Sequence, residues 1–169
     1  MSYLERKAQA LKNFYFSNKV ELNYALISTY IFGIIAHAYG LLNSNYSHDS
    51  LNEINAAMME NKMKIWVGRF FVPVLRHLRS SFDVTWIIGL VGFFFIALSS
   101  FVICVRIFEC KNKAAIIAVS AILATNIVVT TQIVTFSHEF DFNMVSLFLS
   151  STAAFLMLKK SGGVREYSA

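Results

Sequence analysis

The sequence predicts an all-α fold, a polytopic transmembrane helical bundle of about four spans, on three observations. Apolar residues make up 56% of the 169 and charged residues only 15%, and the mean hydropathy is +0.55, far from an ordinary soluble domain. The apolar excess is gathered in blocks: residues 22–42, 84–105 and 114–137 contain no Asp, Glu, Lys or Arg. Each block has about the ~20 residues that cross ~30 Å of hydrocarbon. Residues 142–158 form a shorter fourth candidate. Lipid offers no partner to a free backbone N–H or C=O, so separate blocks of this length must cross as helices. The chain reads as a single membrane domain, 1–169, with no large soluble part.

Taken in order, residues 1–19 are mixed, with Arg6, Lys7, Lys12 and Lys19 among Leu11, Phe14 and Tyr15. Such a surface suits an interfacial helix on the cytoplasmic leaflet, a solvated tail being the plainer alternative. The apolar run that follows is longer than a signal-peptide core and has no small-x-small cleavage site. It reads as an uncleaved first span, 22–42. His37 lies near its outer end, where a satisfied histidine facing the bundle is expected. Gly33 and Gly40 permit close helix contact, although their spacing is seven and not four.

A long polar loop, 43–83, separates this span from the second. At 100° per residue, Phe71, Val74, Leu75 and Leu78 share one face of a helix over 64–78, while Arg69, Arg76 and Arg79 fall on the far side. That pattern predicts an amphipathic interfacial helix in the first outer loop. Pro73 bends it or opens its first turn, and Trp66 suits the headgroup level.

The second span, 84–105, leads into a short basic loop, 106–113. The third, 114–136, holds Ser120, Thr125, Asn126, Thr130, Thr131, Gln132 and Thr135, which are expected to bond to neighbouring helices. A short turn at 137–141 carries two acids and no Lys or Arg. The fourth span ends at Lys159 and Lys160, and the polar tail beyond is expected to be disordered. Cys104 and Cys110 are expected to be free thiols.

The formal net charge of +5 does not point to nucleic acid, because the cations sit at span ends rather than on one soluble face. They report topology. Four Lys or Arg precede the first span, three lie in 106–113 and three follow residue 158. The positive-inside rule then puts both termini and the 106–113 loop in the cytoplasm, with the long loop and the acidic turn outside. The long loop itself carries five basic residues. Three of them are the arginines of the interfacial helix, where they can meet anionic headgroups or phosphates.

This arrangement gathers candidate chemistry on one side of the membrane. Asp49, with His48 beside it, follows the first span, while Glu139 and Asp141, with His138, form the second outer turn. A carboxylate there can accept a proton from a sugar hydroxyl. Arg69, Arg76 or Arg79 can pair with a lipid-linked phosphate, which needs fixed positive charge. Plainer readings stand beside these. Asp49 or Ser50 can cap a helix beginning at Leu51, Glu139 and Asp141 can be a solvated turn, and the arginines can be surface anchors. His48 and His138 can cap or line the interface.

Three stretches carry a resemblance: Tyr46-Ser47-His48-Asp49-Ser50, then Gly68-Arg69-Phe70-Phe71-Val72-Pro73, then Thr135-Phe136-Ser137-His138-Glu139-Phe140-Asp141. In this order, with this span pattern, the chain resembles the bacterial multi-pass O-antigen glucosyltransferases, the type II serotype-conversion enzymes. The resemblance covers most of 22–158. It implies a GT-C-like membrane fold in the bacterial inner membrane, acting on the periplasmic side. The donor would be a polyprenyl-phosphate glucose and the acceptor a lipid-linked O-antigen. It implies Asp49 as the catalytic base, Glu139 or Asp141 as a supporting acid, and inversion at the sugar carbon. The residues form no strong metal-ligand cluster and make no cofactor certain, so a divalent metal stays open. Members of that family are usually much longer, so the resemblance implies an N-terminal portion, with further helices completing the carrier and acceptor pocket.

Two other functions fit the same residues. One is a non-enzymatic four-span protein, such as a flippase-like carrier of polyprenyl-linked sugar. The other is an interaction subunit whose span-three polar residues bind other membrane subunits.

Overall fold

The computed structural model describes residues 3–43, 84–136 and 139–160, and all regular structure among them is helical. In chain order these are α1 (Tyr3–Leu42), α2 (Thr85–Phe101) prolonged by a π-helical turn (Val102–Ile107), α3 (Lys113–Ala124), α4 (Ile127–Thr135) and α5 (Phe140–Lys160). Four stretches are long and apolar enough to cross a membrane: Tyr3–Leu42, Thr85–Ile107, Lys113–Thr135 and Phe140–Lys160. The all-helical, four-span class holds. The amphipathic helix expected over 64–78 and the tail beyond residue 160 lie outside the described residues.

The bundle buries an apolar core that includes Phe93, Ile96, Ile116 and Phe140, takes small polar side chains in among it, and turns further apolar side chains outward. Ser28, Thr29, His37, Ser99, Ser100 and Ser120 are buried, while Ile35 and Tyr39 stand 74% and 75% exposed. In water this would expose a large apolar surface, but in lipid the outer face costs nothing and the small inner residues let helices approach. Most of the buried hydroxyls are satisfied within their own helices. Ser99 Oγ donates to the Phe95 carbonyl at 2.8 Å and Ser100 Oγ to that of Ile96 at 2.9 Å, a bond one turn back that keeps a polar group tolerable in an apolar interior. Among the described residues, the Thr29 and Ser120 hydroxyls find no partner.

α2 is the central element, packed against α1, α3 and α5. Two glycines make this possible. A Cβ on Gly89 would overlap the Leu41 side chain of α1, and one on Gly92 would overlap the Phe140 ring of α5. One face of α2 thus receives a side chain from α1 and another from α5.

The helix boundaries depart from expectation in three places, each with a local cause. The expected N-terminal helix and first span form one 40-residue rod, α1, about 60 Å long at ~1.5 Å per residue. No Gly or Pro interrupts residues 3–32, and Ser17 and Asn18 return their side-chain donors to the Phe14 carbonyl, so nothing breaks the helix at Lys19.

At its far end α2 widens into the π-helical turn. The Phe108 N–H reaches the Ile103 carbonyl at 3.0 Å and the Cys110 N–H reaches that of Cys104 at 2.9 Å, with Glu109 in the left-handed region at φ 51°. Cys104 Sγ–H donates to the Cys110 carbonyl, and both cysteines are free thiols.

The third span is broken. α3 ends at Ala124 and α4 begins after Asn126, whose extended backbone (ψ 143°) interrupts the helix. The Asn126 side chain accepts from the Val128 N–H at 2.8 Å, an N-cap in mid-span. The expectation that Asn126 bonds a neighbouring helix is replaced by this local role.

Candidate functional site

One end of the bundle is assembled from the tips of four helical segments. Leu41, at the end of α1, lies on Gly89 near the start of α2. Ile133 of α4 approaches Gly40, and Phe140 at the start of α5 lies on Gly92. The residues flanking segment 44–83, Asn43 and Val84, therefore sit at the same end as the turn that carries Glu139 and Asp141. This shared end is what the span pattern predicts.

The structure buries both acids, each only 6% exposed, where a solvated turn would have exposed them. Glu139 is held by its backbone N–H, which donates to the Phe136 carbonyl at 2.9 Å and closes the turn between α4 and α5. Asp141 lies in the first turn of α5, and its Oδ1 accepts from the Phe142 N–H at 3.0 Å. A carboxylate there meets unpaired backbone donors and the positive end of the helix dipole. A charge removed from water needs such partners, and neither acid is without them.

Beside the acids an amide pair ties α4 to α5. Asn143 Nδ2 donates to Gln132 Oε1 at 2.6 Å. Gln132 was legible as a residue that bonds a neighbouring helix. Asn143 carries no signal of its own in the sequence beyond its place two residues past Asp141, on the first turn of α5.

Beneath this end lies an aromatic floor. Phe93 is fully buried, edge-on to Phe140 at 5.9 Å and to Tyr30 at 6.3 Å, and stacked on His37 at 6.1 Å. His37 is 5% exposed, and its Nε2 is 2.9 Å from the Ala124 carbonyl. As donor to that carbonyl it satisfies one of the orphan acceptors at the C-terminus of α3. It is the bundle-facing histidine the sequence suggested, with its role tied to the helix break. Tyr30 closes the floor by donating its hydroxyl to the Leu90 carbonyl at 2.8 Å.

The structure thus places Glu139 and Asp141 together at one end. Asp49, His48, Arg69, Arg76, Arg79 and His138 lie outside the described residues. Among the described residues no group of three or more His, Cys, Asp or Glu side chains is assembled that could hold a metal ion.

Comparison with known proteins adds one finding. A family model described as Glucosyl transferase GtrII matches residues 38–165. No curated protein and no solved structure matches the chain. The matched stretch begins in the last turns of α1 and contains every candidate site residue, from His48 to Asp141. It spans well over half of the sequence, so this membrane-spanning chain belongs to the Glucosyl transferase GtrII family, which ties it to glucosyl transfer in general.

Proposed function

We propose that the chain forms part or all of a GT-C-like glucosyltransferase of the bacterial inner membrane. Glucose is taken from a polyprenyl-phosphate carrier and delivered to O-antigen or a related surface polysaccharide on the periplasmic side. The observation that carries this reading is the pair of buried acids, Glu139 and Asp141, at the bundle end where segment 44–83 leaves and returns. A carboxylate is costly to bury even when it is partnered, and an ionisable residue held inside a membrane bundle is a functional position by default.

In this reading Asp49 is the base. The acceptor hydroxyl oxygen attacks the anomeric carbon of glucose from the face opposite the phosphate. Its proton passes to Asp49, the bond from carbon to phosphate oxygen breaks, and the polyprenyl phosphate leaves with the electron pair, inverting the centre. Arg69, Arg76 and Arg79 neutralise the departing phosphate, for which planar guanidinium groups are suited. Glu139 and Asp141 hold the second wall of the site, with His48 and His138 at its edge.

The test is transfer of glucose from polyprenyl-phosphate glucose to lipid-linked O-antigen in membranes carrying the full chain. Removing a general base typically costs about 10²–10⁴-fold in rate. Asp49→Asn is therefore expected to lose at least about a hundredfold with insertion unchanged, and Glu139→Gln and Asp141→Asn are expected to lose less. Transfer that is equal in the native chain and in Asp49→Asn would remove Asp49 from the mechanism. No transfer by either would sink the chain as a self-sufficient enzyme.

A further inference from the structure

The opposite end of the bundle carries a feature that glucosyl transfer does not use. A cavity of about 350 Å³ opens between α1, α2 and α5, within the ~300–1,000 Å³ range of ligand sites. Its wall is almost wholly apolar, with Leu22 from α1, Leu98 and Phe101 from α2, and Phe148 and Phe155 from α5. Two of its polar side chains are engaged within their own helices. Asn18 Nδ2 donates to the Phe14 carbonyl and Thr152 Oγ1 to that of Phe148, each at 2.9 Å.

Among the described residues, the charged group in the lining is Arg106. Its guanidinium lies 5.3 Å from the Phe14 ring centroid and 5.0 Å from that of Phe155, wedged between the two walls at the mouth. Among the described residues, no carboxylate lines the cavity.

The register along the helices gives the cavity a direction. From Leu98 to Arg106 the chain climbs two turns, the second of them the wider π-helical one, so the rise is somewhat under the ~12 Å of an unbroken α-helix. The Leu98 end lies within the charge-free block of the span, and Arg106 is the first charged residue after it. The deep end is therefore apolar and the shallow end cationic. Besides Arg106, the same end of the bundle carries Arg6, Lys7, Lys12, Lys19, Lys111, Lys113, Lys159 and Lys160 against Glu5, Glu21 and Glu109 among the described residues. A further apolar helix laid in this groove would leave the guanidinium without an anion. An amphiphile with an apolar chain and a negative head satisfies both ends.

We propose that this cavity binds an anionic phospholipid, one acyl chain lying along Leu98 and Phe148 and the phosphate paired with Arg106. The site is separate from the transfer chemistry. It draws on Phe14, Tyr15, Asn18 and Leu22, which precede the family-matched stretch 38–165, and it lies at the other end of the bundle from Glu139 and Asp141.

The experiment compares retention of phosphatidylglycerol and phosphatidylcholine with identical acyl chains, read by native mass spectrometry of the full chain released from detergent. The native chain should retain phosphatidylglycerol about fivefold better or more. R106Q should erase that preference, R106K should keep it, and K160Q, which alters charge at the same end but outside the cavity, should leave it intact. T152W, which fills the cavity, should lower retention of both lipids.

Equal retention of the two lipids by the native chain overturns the proposal. So does a preference that survives R106Q, or one lost equally in K160Q, which would make it a diffuse surface field. Displacement of phosphatidylglycerol by an equal concentration of polyprenyl phosphate would also overturn it, by assigning the cavity to a carrier lipid. Helix content and melting of each variant are checked by circular dichroism. If R106Q does not fold, T152W decides, because phosphatidylglycerol retention unchanged in that variant excludes the cavity.

Discussion

Phe93 is one of three consecutive phenylalanines, and only the structure separates it from the other two. Its ring is fully buried and lies so close to α1 that a Cβ on Gly33 would stand 2.9 Å from it. Residue composition cannot make that choice, because Phe93, Phe94 and Phe95 are equally apolar and differ only in helical phase. The glycines show the same limit. Gly33 and Gly40 were legible as points of close approach, whereas Gly89 and Gly92, which decide the packing of α2, were not. Gly92 gives the sharpest test. Replacing it with Ala gains about 1 kcal/mol of helix propensity but drives a methyl into the Phe140 ring, and overpacking of this kind costs ~1–3 kcal/mol or more. Gly92→Ala is expected to lower the thermal midpoint of the purified chain. Gly40→Ala meets only the Ile133 methyl, at 3.0 Å, and should be near neutral. A midpoint for Gly92→Ala at or above that of Gly40→Ala would mean that α2 and α5 repack freely, against the contact described.

At the scale of the element, the four spans were legible because charge-free blocks of spanning length have few other fates. Their interior breaks were not, because Thr125 and Asn126 are averaged away in an otherwise apolar run. The physical signal was present locally. Asn is a strong N-cap and a poor residue inside a helix, and it stands directly before Ile127-Val128-Val129. The two readings of the third span differ in the sign of one substitution. In an unbroken helix Asn126→Ala would stabilise by ~0.5 kcal/mol, since Ala is the better helix former. With Asn126 capping α4 it removes the acceptor for the Val128 N–H and costs ~1 kcal/mol. We expect the second sign, together with faster hydrogen exchange at the Val128 amide. Slower exchange there, with a raised melting temperature, would restore the continuous helix. His37 bears on the same break from α1, since its ring serves the Ala124 carbonyl that an unbroken helix would have paired with residue 128.

For the whole molecule, an apolar core threaded with small polar residues inside an apolar exterior is the arrangement a bilayer permits, and the charge-free blocks of the sequence announced the exterior. The candidate site was legible only in part. The two acids of the last turn could be named from their place between spans, but their burial could not, because a turn of five residues with no apolar block reads as solvated. The proposed chemistry also requires an orientation, and that orientation can be tested on the described residues. Asn43 and Glu139 belong to one end of the bundle and Lys111 to the other. By the cation count, Lys111 would face the cytoplasm. In a chain whose Cys104 and Cys110 are replaced by Ser, a single cysteine at Asn43 should react with a membrane-impermeant maleimide in spheroplasts. A single cysteine at Lys111 should react only after the membrane is opened. The reverse pattern would put Glu139 and Asp141 on the cytoplasmic side, where a periplasmic acceptor cannot reach them. It would overturn the proposed transfer to surface polysaccharide while leaving the four-span fold intact. Labelling of both positions from outside would instead contradict α2, because a helix of spanning length then separates two sites on the same side.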